Sequence, residues 1–136
     1  MKNTNMILKI FIVDDSMPIV ERLTNLFSGI GHFKIVGSAN NATKAVEYIL
    51  KSNPDVVILD IHLPDGNGID ILKQIKREKP FIVAIMLTNY TESEYKTICM
   101  KEGADYFLDK SIEFNKVLDI CNNLVLQRNK SNDKLL

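Results

Sequence analysis

The chain has 136 residues, 46% hydrophobic and 25% charged, which is enough apolar material for the core of one ordinary domain. Lys+Arg and Asp+Glu are each 17, so the formal net charge is zero, which argues against a basic nucleic-acid binder held by phosphate neutralisation. The first apolar run is broken by Lys9 and ends at two aspartates, too short to span a bilayer and unlike a signal peptide, so a cytoplasmic protein without membrane attachment is expected.

In chain order, the first strand is expected over 8–13. A helix follows from about Ser16, with Pro18 in its first turn, where the missing N–H costs little. Val20, Leu23, Leu26, Phe27 and Ile30 make its apolar stripe. A weaker strand over 33–37 suits a sheet edge. Asn40 and Asn41 then cap a helix whose face is Ala42, Ala45, Val46, Ile49 and Leu50. The third strand is 56–59, and the third helix 68–78 turns Ile71, Leu72 and Ile75 inward. The fourth strand is 82–87, followed by a helix over 92–101 that stops at Gly103. The fifth pair is a strand at 106–108 and a helix from about 112 to 127.

Unbroken β-branched runs indicate strands covered on both faces, as in a parallel sheet. Five strands alternating with five helices predict an α/β fold with right-handed crossovers and helices on both sides. One domain over 1–126 is expected, with a frayed polar tail over 127–136. Cys99 and Cys121 lie within apolar-periodic segments, which suits buried thiols in a reducing compartment.

In such a sheet, ligands bind beyond the carboxyl ends of the strands. The residues there are Asp14 and Asp15 after strand one, and Asp60 then His62 after strand three. Thr88 and Asn89 follow strand four, and Asp109 and Lys110 follow strand five; strand two offers Ser38, Asn40 and Asn41. Gathered carboxylates repel one another unless a cation sits among them, and hard oxygen donors suit Mg²⁺. Zinc is a poor fit, because His32 and His62 are the only histidines and neither cysteine is near a strand end. With Lys110 and Thr88 nearby, the set makes a cradle for a tetrahedral oxyanion, and a phosphoryl group on an aspartate fits it.

These residues resemble the receiver domain of bacterial response regulators, the chemotaxis-type family. The resemblance runs from about Leu8 to Leu126. It rests on Val13-Asp14-Asp15, Leu59-Asp60, Leu63-Pro64-Asp65-Gly66-Asn67-Gly68, Leu87-Thr88, and Gly103-Ala104-Asp105-Tyr106-Phe107-Leu108-Asp109-Lys110, in that order. It implies a flavodoxin-like doubly wound (βα)5 fold with strand order 2-1-3-4-5. It implies that Asp60 is the phosphoacceptor and that Asp14, Asp15, Asp60 and the backbone carbonyl of His62 hold Mg²⁺. By the same resemblance Thr88 is the switch hydroxyl, Lys110 the phosphoryl-pairing lysine, and Phe107 stands in place of the switch aromatic. His62, Asn89 and Tyr90 would tune phosphoryl lifetime. The partners implied are a sensor histidine kinase or histidine phosphotransfer domain and a downstream protein target, with a phosphorylation-dependent dimer left open. The only chemistry implied is the domain's own phosphotransfer and autodephosphorylation.

Ser111 stands where many receivers have proline in a cis bond, and a non-proline residue disfavours cis. Singly, each motif residue has a plain structural reading: Asp14-Asp15 as a helix cap, Thr88 as a strand-end hydroxyl, Lys110 as a solvated lysine, His62 as a loop side chain. Phe107 reads equally well as core. Two rival classes remain: a receiver-like scaffold that is never phosphorylated, and a Mg²⁺-dependent phosphatase with an aspartyl nucleophile. The second would want an aspartate where His62 stands.

Overall fold

The computed structural model describes residues 6–135, with side chains as far as residue 131. Residues 1–5 and the last leucine of the tail, both part of the sequence reading, lie outside it. We number only the strands of the main sheet: β1 (Leu8–Val13), β2 (Phe33–Ala39), β3 (Val56–Leu59), β4 (Val83–Thr88) and β5 (Tyr106–Asp109). The helices are α1 (Met17–Phe27), α2 (Ala42–Ser52), α3 (Gly68–Glu78), α4 (Ser93–Lys101) and α5 (Lys116–Leu135). All five strands are parallel, in the expected order 2-1-3-4-5.

Alternation along the strands divides the apolar residues between two cores. Phe11, Val13, Val57, Leu59, Ala84 and Met86 face one way, with Ile49, Leu72, Ile75 and Cys99 from α2, α3 and α4 over them. Ile10, Ile12, Val56, Ile58, Ile85 and Leu87 face the other, under Leu23 and Phe27 of α1 and Val117, Cys121 and Val125 of α5. The central strands therefore have no polar face, which is why their sequences do not alternate.

The register fixes where the polar residues emerge. Val13 pairs with Leu59, so Asp14 and Asp60 leave the sheet side by side, tied by Asp60 N donating to Val13 O at 2.9 Å. Thr88 pairs with Asp109, which brings Lys110 to the same edge. The register shifts between Ile10 and Phe11, where β2 carries one extra residue, Val36, as a bulge. Gly37 is needed there, since a Cβ would come within 2.8 Å of the Phe11 ring. Lys76 of α3 donates to Ile82 O at 2.6 Å and to Asp105 at 2.9 Å, and Asp105 also accepts from Ala84 N. That cluster locks the start of β5 to β4.

Several boundaries differ from the sequence reading. The edge strand β2 runs on to Ala39, and Thr88 is the last residue of β4 rather than the first beyond it. Residues 62–63 and 66–67 pair as a short antiparallel hairpin, where a turn alone was expected. Helix α5 begins at Lys116 rather than near 112, because turns between β5 and α5 occupy the intervening residues. It also continues to Leu135, past the expected end at Gln127. Arg128, in the stretch expected to fray, pairs with Asp55 at 2.7 Å and holds the helix against the start of β3. No described helix is long and apolar enough to cross a membrane.

Burial pushes the Cys99 thiol up to about 11 and that of Cys121 up to about 12. At mildly alkaline pH neither forms appreciable thiolate. Iodoacetamide should therefore leave the native protein unmodified at both positions and label both once denaturant is added, as read by intact mass.

Candidate functional site

The sheet edge gathers four polar side chains that are almost wholly buried: Asp14 at 3% exposure, Asp60 at 6%, Lys110 at 7% and Thr88 at 0%. Buried charge is tolerated only when it is paired and hydrogen-bonded. The Lys110 ammonium satisfies two anions at once, lying 2.7 Å from Asp14 Oδ2 and 2.8 Å from Asp60 Oδ2. The other oxygen of each carboxylate takes a backbone donor: Ser16 N to Asp14 at 2.8 Å and Ile61 N to Asp60 at 2.7 Å. Asp15 is exposed beside them, and oxygens of Asp14, Asp15 and Asp60 all lie within 4.8 Å of one another.

Three carboxylates against one ammonium leave two negative charges in excess. The donors are hard oxygens that converge, which fits a divalent ion such as Mg²⁺ and not zinc. The cost of burying a charge shows at Asp14. Burial raises its carboxyl above the ordinary range, and the bonds from Lys110 and Ser16 offset only part of that. Burial alone would depress Lys110, yet its bonds to Asp14 and Asp60 outweigh this and raise it.

The loops explain how each residue is held. Gly68 packs so tightly behind Asp60 that a Cβ there would collide with the Asp60 carbonyl, while Gly68 N donates to Ile61 O at 2.6 Å. Lys110 N donates to Thr88 O at 2.9 Å. The chain described contains no cis peptide, so Lys110–Ser111 is trans. Ser111 instead fixes the loop with hydrogen bonds: its N and Oγ donate to Asp109 Oδ1 at 2.8 and 2.6 Å. Glu113 accepts from Asp109 N at 2.9 Å, and Arg22 stacks on the buried Phe114 ring, 3.7 Å from its centroid. Asp109 is held below the usual carboxylate range by these Ser111 bonds.

The remaining predicted residues take different places. Thr88 Oγ1 accepts from Tyr90 N at 3.1 Å, so it sits at the site but bonds away from the carboxylates. Phe107 is half-buried against the α2–α4 core. Asn89 is exposed. His62 is exposed and its ring stacks on Tyr90 with centroids 3.7 Å apart. Sequence reasoning missed four contributors. Asp65 reaches across to cap α2, accepting from Ala42 N and Thr43 N at 2.6 and 2.9 Å and from the Thr43 hydroxyl. Ser111 and Glu113 hold the lysine loop, and Tyr95 meets His62. The Pro-Asp-Gly turn gave a local signal for Asp65, but the cap joins residues more than twenty apart.

Residues 10–122 match the response regulator receiver domain model. The chain belongs to that family. It is 31% identical over 105 residues to the DNA-binding transcriptional activator DevR/DosR of Mycobacterium tuberculosis, covering 77% of this chain and 48% of that protein. It is 37% identical over 109 residues to protein-glutamate methylesterase/protein-glutamine glutaminase 4 of Hahella chejuensis, covering 79% of this chain and 28% of that one. The chain thus spans less than half the length of these relatives. Among solved structures, a chain of the CheX-CheY-BeF3-Mg²⁺ complex of Borrelia burgdorferi superposes with a TM-score of 0.80 at 29% identity, covering 89% of this chain and 91% of that chain. The response regulator domain of Thermotoga maritima CheB gives 0.76 at 27% identity, covering 91% and 97%. This receiver is a two-component signalling module, a family that generally binds Mg²⁺ in an acidic pocket and works with histidine kinases and downstream effectors.

The raised Asp14 carboxyl sets the sign of a stability change. The folded state binds that proton more tightly than the unfolded chain does, so its contribution is present below the ordinary carboxyl value and lost as pH rises through the folded one. At pH 7 without metal, Asp14→Asn should raise the thermal midpoint by a few degrees, the shift that ~1 kcal/mol produces in a domain of this size. The gain should shrink toward pH 4, and Mg²⁺ should stabilise the variant less than the wild type in the same scans. Gly68→Ala should do the opposite, costing about 2 kcal/mol or more in urea unfolding because the collision is with backbone that cannot move aside.

Proposed function

We propose that Asp60 accepts a phosphoryl group from a phosphohistidine on a partner histidine kinase or phosphotransfer domain, and that the adduct switches the α4–β5–α5 surface. The observation that supports this most is the single ammonium of Lys110 held between two buried carboxylates. That arrangement has anionic charge in excess in its metal-free form, and it has a free cationic partner for a phosphoryl oxygen once a metal shares the carboxylates.

The chain's own groups divide the work. A carboxylate oxygen of Asp60 attacks phosphorus as the P–N bond of the donor breaks, and the imidazole leaves with the electron pair. Lys110 pairs with a phosphoryl oxygen and limits the charge that builds there. Asp14, Asp15, Asp60 and the His62 carbonyl would hold Mg²⁺, which when bound neutralises charge on the phosphoryl oxygens. Thr88 exchanges its bond from Tyr90 N for one donated to the phosphoryl group. Phe107, half-buried on β5 beside Met86, fills the space released. The change is a shift between two populations, bounded by the differential affinity of the phosphoryl group for them. Hydrolysis frees inorganic phosphate and restores the Asp60 carboxylate. His62, Asn89 and Tyr90 are exposed in the loops that follow Asp60 and Thr88, from where His62 and Tyr90 would slow the approach of water. This domain acts by contact with a downstream protein, its own chemistry being phosphotransfer and autodephosphorylation.

Incubation with acetyl phosphate and Mg²⁺ should give one acid-labile phosphoryl adduct by mass spectrometry, mapped to Asp60. The adduct should be absent from Asp60→Asn and from wild type in chelator. A wild-type protein that stays unmodified would point instead to a binding scaffold. In the phosphorylated protein, His62→Asn and Tyr90→Ala should each lose the group faster than wild type, and unchanged rates would remove both residues from any part in its lifetime.

A further inference from the structure

Helix α4 is the least anchored helix in the fold. Its N-cap residue, Glu92, makes no side-chain cap hydrogen bond, whereas α1, α2 and α3 are each capped by Ser16, Asn41 or Asn67. Of its nine residues, all described, only Cys99 is buried, and Ile98 and Met100 are each 43% exposed. A helix this short does not hold itself together in water and depends on tertiary contacts. Tyr95, in its first turn, supplies one of them. The Tyr95 phenol and His62 Nε2 are hydrogen-bonded at 3.3 Å, and the two rings meet edge to face at 5.7 Å. Tyr95 also packs edge to face on Tyr90 at 6.1 Å, which closes a triangle with the His62–Tyr90 stack.

The three rings join the loop after β3, the loop after β4 and the start of α4. His62 lies two residues beyond Asp60, and Tyr90 two beyond Thr88, to whose hydroxyl its own N donates. An exposed histidine on a two-residue hairpin would otherwise sample several rotamers, and ordering it costs entropy. The phenol of Tyr95 is the polar contact that holds it stacked.

From this we infer that Tyr95 is a positioning residue for the chemistry at Asp60. It fixes His62 against Tyr90 as an aromatic screen beside the acyl phosphate, and through the same contact it ties α4 to the phosphoacceptor loop. The inference rests on the phosphoacceptor reading for its effect on lifetime, and on geometry alone for the tether. Screening and tethering share that one contact, so loss of the Tyr95 phenol loosens α4 and opens the site to water together, whereas loosening α4 elsewhere leaves the screen in place.

Tyr95→Phe removes one oxygen and keeps the ring, so it tests the contact without a cavity. Two readouts are needed, amide hydrogen exchange over residues 93–101 in the unmodified protein, and the rate of phosphoryl loss after acetyl phosphate and Mg²⁺. Both should rise about two- to five-fold over wild type, the factor one net hydrogen bond carries. Cys99→Ala is the control, since it loosens α4 from below and leaves the ring triangle in place. It should raise exchange and leave phosphoryl loss at the wild-type rate. Unchanged phosphoryl loss in Tyr95→Phe overturns the inference, as does equal acceleration by Cys99→Ala, which would make Tyr95 ordinary packing. If the wild type takes up no phosphoryl group, the Asp60 assignment is what fails. The exchange comparison then decides the tether by itself, and unchanged exchange in Tyr95→Phe overturns it.

Discussion

One ammonium between two buried carboxylates organises this molecule. Lys110 can sit at 7% exposure only because Asp14 and Asp60 accept from it, and they can be buried only because it donates to them. Everything around the trio reads as support for that arrangement. The pairing of Val13 with Leu59 delivers the two aspartates side by side. The pairing of Thr88 with Asp109 delivers the lysine opposite them. Gly68 leaves the Asp60 backbone room to be where it is. The arrangement is neutralised only in part, and the residual negative charge is the property a divalent metal ion can use.

The same trio sets a condition on the rest of the fold. Residues from β1, β3 and the loop after β5 must meet to within hydrogen-bond distance, although they lie up to about a hundred positions apart in the chain. Central strands that are apolar on both faces meet that condition, because a one-residue slip in register would carry every side chain to the wrong face. Two separate cores, one on each side of the sheet, hold the register from both directions. The lock of Lys76 on Asp105 and Ile82 does the same for β5 at the end of the sheet away from the site.

How much of this was legible in the sequence follows from how local each signal is. The strands were readable because burial on both faces leaves unbroken runs such as Val56-Val57-Ile58-Leu59. The acidic cluster and Lys110 were readable because chemistry in this kind of sheet collects just past the strand ends. The start of α5 was misplaced because Ile112 and Phe114 continue the apolar period, yet Ile112 is exposed and Phe114 is buried from a turn under the Arg22 guanidinium. The extension of α5 was missed because its residues are polar, and what pins them is an ion pair with Asp55, far away in the chain. Ser111 read as the loss of a proline. In the structure it replaces covalent stiffness with two hydrogen bonds to Asp109, a pairing that a motif defined by proline does not encode. The Asp65 cap on α2 and the Tyr95–His62 contact are likewise tertiary, and no local periodicity announces them.

Stability in this fold is unevenly spread, and the unevenness has a functional consequence. The sheet and the helices α1, α2, α3 and α5 bury several apolar residues each, or are capped, or both. Helix α4 has one buried residue and no side-chain cap. Elements of this kind open first and at the least free energy. Inverting a two-state population from 1:99 to 99:1 takes a differential affinity of about 5.5 kcal/mol. On the proposed mechanism, contacts of a phosphoryl group with Lys110, Thr88 and a metal meet a demand of that size more readily where the element they move is held weakly. On the same proposal, a better-capped, better-buried α4 would make a more stable protein whose surface that chemistry would shift less.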